Sequence, residues 1–408
     1  MIKSPVMLLI GYVWPEFTSS AAGIRDHNLI KLFLDEGYEV HCASTAKKNS
    51  FQSDLEKQNV KTHNIKMNDS SFDEWIKKIN PEVVIFDRFV TEEKFGWRVH
   101  LNAPNAIRIL DTQDLHFLRK KRQALITGEK ESKTNLYREI SSIYRSDLSL
   151  IISSYEYHLL INEYNIPKEH LHLIRFCYEI FVPEKKFEER KNFITIGNYR
   201  HPPNADGIKW LISEIWPEIK RQIPEAQLHC YGAYLPEDFK KKEDKKNGIF
   251  FKGWAKESIN TLKDYRINLA ALRFGAGIKG KISDGWVANT PCITTPIGAE
   301  GMIETEDLFP GEIAENSEQF AQYAISLYQD KKKYQIHQKR CKNTIDKYYR
   351  YNQSVSFFKK INDLICNIEK YRKNNIIGNI LFFEQHRSTE YFSRWIELKE
   401  KQNIEQSS

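Results

Sequence analysis

What most constrains this chain is an alternation of short apolar runs with amphipathic helices, which occurs twice, on either side of a charged break. Val6–Val13 is a continuous apolar run, the pattern of a strand covered on both faces. A small-residue loop follows at Thr18–Gly23. Next comes a helix with Leu29, Leu32 and Phe33 at helical spacing, ending near Gly37, and then an alternating strand at Tyr38–Ala43. Strand, loop, helix and strand in that order form the opening unit of a doubly wound parallel sheet. The rhythm continues through Val83–Phe86, Ala106–Leu110 and Leu148–Ser153, with Leu171–Ile174 after Pro167. Ser153 and Ser154 are placed to cap a helix over Glu156–Tyr164.

The break falls at Val182–Asn192, which is rich in Glu, Lys and Arg and poor in apolar residues. It reads as a linker, 184–192, between a first domain, 1–183, and a second, 193–350. The second domain restarts the alternation with a strand at Phe193–Gly197 and a helix over Asn204–Arg221 that Pro217 should end or kink. Strands follow at Gln227–Tyr231, Ile249–Phe251 and Asn268–Leu272, then a helix at Lys281–Ala288 and a strand at Cys292–Thr295. From about Glu318 the chain is helical. Residues 351–408 are expected to pack back across the domain junction, with Phe357, Ile361, Leu364, Ile365 and Ile368 at helical spacing. Ile376–Phe383 is apolar enough to dock without indicating where. No helix reads as having the basic amphipathic face of a membrane binder.

Length supports two domains, since 408 residues can bury two cores. A composition of 41% hydrophobic and 28% charged residues is that of a globular protein. The net charge of +7 is modest and scattered; it admits an anionic small molecule, a membrane surface or nucleic acid and selects none of them, and no nucleic-acid partner is expected. The six cysteines lie far apart with no metal-ligand spacing, so free buried thiols are expected. No apolar run is long enough to span a bilayer, and the run at Val6–Val13 passes into Trp14-Pro15-Glu16 without a cleavage site. A cytoplasmic location is expected, leaving open peripheral contact with the inner face of the cell membrane.

One stretch carries chemistry. Arg273-Phe-Gly-Ala-Gly-Ile-Lys-Gly-Lys-Ile-Ser-Asp284 follows a strand and opens a helix. Gly275, Gly277 and Gly280 allow close backbone approach, and the first helical N–H groups face outward, a geometry that attracts phosphate. Lys279 and Lys281 add charge beside it. Asp284 shares a helix face with Lys281 at i, i+3, placed to accept hydrogen bonds from the vicinal hydroxyls of a ribose. Cation for diphosphate and carboxylate for ribose describes a nucleotide site. An ordinary glycine turn with a surface Lys–Asp pair fits the residue types as well.

In the first domain, Asp111-Thr-Gln-Asp114-Leu-His116 follows the strand Ala106–Leu110, where polar residues point into a cleft. His116 is placed to donate to an acceptor or a transferring sugar, oriented by Asp111 or Asp114. An Asp-rich turn with the histidine packed on Phe117 is the other reading.

The runs Gly197-Asn-Tyr-Arg200-His-Pro-Pro-Asn204, Arg273–Lys281 and Thr294-Thr-Pro-Ile-Gly-Ala-Glu300-Gly301 resemble bacterial glycosyltransferases of group 1 (family four), in the subgroup with Gly-Ala-Gly-Ile-Lys. That resemblance implies the GT-B fold, two Rossmann-like doubly wound domains facing across a cleft, with C-terminal helices. It implies a nucleotide-diphosphate-sugar donor on the second domain, a glycan or lipid-linked acceptor on the first, and retention of configuration. It implies neither a cofactor nor an obligatory metal, and the chain has no Asp-x-Asp. By the resemblance, Arg200 brings a cation to the donor phosphates, and Lys279 and Lys281 sit in the phosphate loop. Asp284 then stands where the family has the second Glu of a Glu-x7-Glu pair, and Ala276 replaces the first. Glu300 is a candidate to compensate. Ala22 and Gly23, in the Ser19–Gly23 loop, either close over the phosphates or form a plain turn. The expectation is a retaining glycosyltransferase; the alternatives are a nucleotide-sugar epimerase and an inactive nucleotide-sugar-binding protein.

Overall fold

The computed structural model describes residues 4–179, 185–304, 308–350 and 353–407. Among these residues thirteen strands make two sheets. The first holds β1 (Val6–Gly11), β2 (Glu39–Ser44), β3 (Lys61–Asn64), β4 (Val83–Asp87), β5 (Ile107–Asp111), β6 (Leu148–Ile151) and β7 (Leu171–Leu173). The second holds β8 (Lys191–Ile196), β9 (Leu228–Tyr231), β10 (Ile249–Gly253), β11 (Tyr265–Ala270), β12 (Cys292–Thr294) and β13 (Gly311–Ile313). The orders are β3-β2-β1-β4-β5-β6-β7 and β10-β9-β8-β11-β12-β13. Every pairing is parallel. Each order reverses beside its first strand, between β1 and β4 and between β8 and β11. Crevices for ligands form at such reversals, past the carboxyl ends of the strands.

The central strands are apolar on both faces because helices cover both. Met7 and Leu9 pack one way, with Leu29 and Phe33 of the helix Ala21–Asp35. Leu8 and Ile10 pack the other way, with Phe95 and Val99 of the helix Phe89–Asn102. β1 is shorter than the apolar run suggests. A Cβ on Gly11 would lie 2.5 Å from the Val13 carbonyl, and the Tyr12 N–H leaves the ladder for the Asp87 carboxylate at 3.1 Å.

The charged run after the first domain is less solvated than its composition indicates. Glu184 lies outside the described residues, but β8 begins at Lys191 and Arg190 is fully buried. Its guanidinium donates to the Ala288 carbonyl and the Thr290 hydroxyl at 2.8 and 2.6 Å. The helical stretch ahead of Arg221 contains a π-helical turn, Leu211–Ile215, just before Pro217, whose ring nitrogen has no hydrogen to give the preceding turn.

The helix Gln353–Asn374 returns to the first domain, where Phe357, Phe358, Ile361 and Leu364 join the cluster of Leu29, Phe33 and Val40. Asn367 breaks its helical geometry (φ −125°, ψ 16°). Five cysteines are buried and free; Cys366, against expectation, is exposed on this helix. Among the described residues no helix is long and apolar enough to cross a membrane.

Candidate functional site

The two sheets present their carboxyl ends to one cleft of about 660 Å³. Its second-domain wall comes from the loops after β8, β9, β10 and β11, and its first-domain wall mainly from the loops after β1, β4 and β5, with Ile152 and Phe176 past β6 and β7. Two helices begin in it. Ser20 caps the helix Ala21–Asp35 by accepting from the Gly23 N–H at 3.0 Å. Lys279 stands at the cap position of the helix Gly280–Val287. The two N-termini nearly touch, since a Cβ on Gly280 would lie 3.1 Å from that of Ala21. Two helix dipoles therefore direct their positive ends into one space, an arrangement that favours an anion.

Lysines reinforce that field. Lys281 is half-buried in the wall, and its Nζ donates to Asn204 Oδ1 at 2.8 Å. Burial pushes its ammonium down to about 8. Lys279 is buried, its ammonium also lowered by desolvation, and its Nζ donates to the Gly277 carbonyl at 2.8 Å. Gly197 leaves room for this cluster, since a Cβ there would come within 2.8 Å of the Lys281 Nζ. Arg200 is exposed at the rim, its guanidinium 3.7 Å from the centroid of the Tyr234 ring.

Asp284 lines the cleft and is buried, which sets aside the surface Lys–Asp pair. Its carboxylate accepts from the Tyr178 hydroxyl at 2.7 Å and from the Ser258 hydroxyl at 2.7 Å. Burial raises its pKa. A ribose reaching it uses the remaining lone pairs or displaces Ser258.

Three expected residues stand behind the wall. Glu300 is held by Arg122 of the first domain, at 2.8 and 2.7 Å, so it does not compensate for Ala276 at the cleft surface. Gly277 adopts φ +66° and turns its N–H away from the cleft, onto Glu156. Asp111 is fully buried in an ion pair with Arg25 at 3.0 Å, and so is spent on the core and does not orient His116. Gly275, Ala22 and Gly23 do line the cleft. Gly23 is required by space, since a Cβ would sit 2.2 Å from the Glu16 carbonyl oxygen.

His116 and Asp114 both face the cleft, with Nε2 3.4 Å from Oδ1. That distance is long for a hydrogen bond, and the Nε2 is buried without a hydrogen-bond partner among the described residues. Burial holds the His116 pKa down to about 4, so the ring is neutral near pH 7. Its ring packs edge-on against Phe89, with centroids 5.5 Å apart, and not on Phe117. Asp114 is also paired with Arg119.

Several cleft residues escaped the sequence reading. Asp26 and Arg88 line its first-domain floor. Gln113 donates to Asp26 at 3.0 Å and to Asp87 at 3.1 Å, and burial raises the Asp26 pKa well above its ordinary value. Arg88 and Gln113 hold φ of +69° and +63°, strained for side chains of this size. Polar residues immediately after β4 and β5 were the available signal. Glu16 spans the domains, accepting from Tyr234 at 2.7 Å and from Asn49 at 2.9 Å. Among the described residues no group of three or more His, Cys, Asp or Glu side chains is placed to hold a metal ion.

Residues 190–330, the part of the chain that carries the second-domain wall of the cleft, match the family model of group 1 glycosyl transferases. The second domain is a group 1 glycosyltransferase domain. The whole chain has the GT-B fold. Sucrose-phosphate synthase from Thermosynechococcus elongatus superposes with a TM-score of 0.70 at 12% identity, covering 89% of this chain and 100% of that one. A mutant of TarM from S. aureus, in complex with fondaparinux, alpha-GlcNAc-glycerol and UDP, gives 0.69 at 11% identity over 89% and 100%. HepE of Anabaena, with UDP and glucose, gives 0.66 at 12% over 88% and 100%. A comparison of the full sequence with the curated proteins finds no match. Domain and fold together make the chain a glycosyltransferase. In this glycosyltransferase domain the loops after β8 and β11 are the ones that bear Arg200, Lys279 and Lys281.

Proposed function

We propose that this glycosyltransferase moves a sugar from a nucleoside-diphosphate-sugar to a glycan or lipid-linked acceptor, with retention of configuration and without a metal. The observation that carries the reading is the convergence of two helix N-termini and the Lys279–Lys281 pair on one cleft between the domains. The diphosphate occupies that positive field. Lys281 and Arg200 stabilise charge as it develops on the leaving phosphate, and the ribose approaches Asp284. The bond from the anomeric carbon to the phosphate oxygen breaks. A bond to the acceptor oxygen forms on the same face, and the acceptor proton passes to the departing phosphate. No protein base is required for that transfer, and His116, neutral near pH 7, hydrogen-bonds a sugar hydroxyl and leaves the proton to the phosphate.

Support comes from two sides. TarM and HepE of the same fold are seen with UDP, and one also with glucose. Around the Asp26–Arg88–Gln113 floor, the first-domain side of the cleft offers hydrogen-bonding groups of both signs to acceptor hydroxyls. We place the reaction in the cytoplasm, at the inner face of the membrane where a lipid-linked acceptor is presented.

The test is turnover of UDP-, GDP- and dTDP-sugars with a panel of glycan and lipid-linked acceptors in excess EDTA, with the product anomer read by proton NMR. The reading requires turnover of at least one donor and a product of the donor's anomeric configuration. Interconversion of donor sugars without acceptor, or an inverted product, would remove it.

A further inference from the structure

The glycine turn after β11 belongs to the second domain, but its backbone is held by the first. Arg122, on the helix His116–Thr127, donates to the Gly275 carbonyl at 2.9 Å and is paired with Glu300 at 2.8 and 2.7 Å. A guanidinium holds a carboxylate and a carbonyl together because its N–H groups are fixed in a planar fork. Two residues on, the Gly277 N–H is taken by Glu156 at 2.8 Å. Both anchors stand behind the wall of the cleft, whereas Gly275 and Ala276 line it.

The two anchors fix the peptide between Gly275 and Ala276. No peptide bond among the described residues is cis. In a trans peptide the carbonyl and the following N–H point to opposite sides. With the Gly275 carbonyl turned back onto Arg122, the Ala276 N–H is turned forward, to the cleft. It makes no hydrogen bond among the described residues. The methyl group of Ala276 has nothing to donate, so this N–H is what the turn offers at that point.

Position along the turn decides what the N–H meets. A Cβ on Gly277 would lie 2.8 Å from the Asp114 Cβ, in the segment that bears His116. Gly280 lies against Ala21 instead, where the two helix N-termini come together. A diphosphate held at those N-termini and Lys281 leaves the Asp114 end of the turn to the sugar attached to it.

Granting the nucleotide-sugar reading, on which this role depends, we propose that Arg122 is a positioning residue for the donor. Through the Gly275 carbonyl it aims the Ala276 N–H at an oxygen of the sugar being transferred. A turn of the second domain set by an arginine of the first makes this contact complete only while the two domains are docked.

The test is calorimetric titration, in wild type and Arg122→Ala, of UDP against UDP-glucose, GDP against GDP-mannose and dTDP against dTDP-glucose. The expected result is that Arg122→Ala weakens the nucleotide-sugar roughly tenfold and the matching diphosphate less than about twofold. A second variant removes the N–H alone. Ala276→lactic acid, introduced as a hydroxy acid, puts an ester oxygen in its place and should give the same split. Equal effects on the two ligands in Arg122→Ala would make the arginine a general support of the domain junction and overturn the proposal. So would an ester variant that binds the nucleotide-sugar as wild type does. Wild type that binds none of the three diphosphates would instead remove the nucleotide reading, and the proposal falls with it.

Discussion

Glu156 Oε1 accepts two backbone hydrogen bonds, from Gly277 at 2.8 Å and from Leu115 at 3.0 Å. One buried oxygen on the helix Ser154–Asn162 thus joins the glycine turn of the second domain to the turn that bears His116. Burial raises the carboxyl's pKa, with the Asp114 charge adding to the rise.

Because both donors use one oxygen, Glu156→Gln keeps the acceptor and removes the charge, while Glu156→Ala leaves two buried N–H groups unpaired at a cost of roughly 1–3 kcal/mol each. The alanine variant should raise the donor KM and lower kcat together, since both turns lose their anchor. The glutamine variant should stay within a few-fold of wild type. Equal losses in the two variants would assign a role to the charge and not to the geometry.

Burial holds the Lys281 pKa near 8, and a bound diphosphate favours its charged form. Nucleoside diphosphate affinity should therefore be level up to about pH 8 and fall above it, with proton uptake on binding in that range. Calorimetry at pH 7 and pH 9 in buffers of different ionisation enthalpy reads both quantities. Affinity that rises with pH would contradict the assignment.

With its pKa held near 4, His116 does not change charge between pH 5 and 8. The kcat profile should show no inflection that disappears in His116→Ala, although that substitution should lower kcat by about 10²-fold through the lost hydrogen bond. An inflection near 6.5 that the substitution abolishes would make His116 a titrating acid or base.

Histidine burial also sets the acid limb of stability. His172 is held near 4 by desolvation, and its Nε2 is buried without a hydrogen-bond partner among the described residues. Its folded pKa lies below the ordinary value near 6.5, so the unfolded chain binds the extra proton. Stability from this group is full above about 6.5 and is lost as pH falls toward 4. His172→Phe, which packs against Phe357 as the imidazole does, should raise the unfolding temperature more at pH 5 than at pH 7.5. An equal change at both would show that titration is not involved.

Much of the fold was legible because it is written locally. Continuous apolar runs such as Val6–Gly11 mark strands with helices on both faces, and Ser153 caps its helix as its position indicates. The glycine turn that opens the helix Gly280–Val287 was legible too, since glycines, lysines and a helix start are adjacent in the chain. Long-range pairings leave no such trace. Nothing near Glu300 announces Arg122, and nothing near Asp111 announces Arg25, so two carboxylates expected at the ligand belong to ion pairs. The C-terminal helices show the same limit. Their apolar residues are visible in sequence, but which side faces the protein depends on distant sockets at Tyr144, Glu92 and Arg98.

The most direct test of the central claim is calorimetric titration of UDP, GDP and dTDP into the wild-type chain and Lys281→Ala, at pH 7 with excess EDTA. The account predicts saturable binding of at least one diphosphate to the wild type, weakened roughly tenfold or more by the substitution. Binding that survives Lys281→Ala unchanged, or no binding of any of the three, would contradict it.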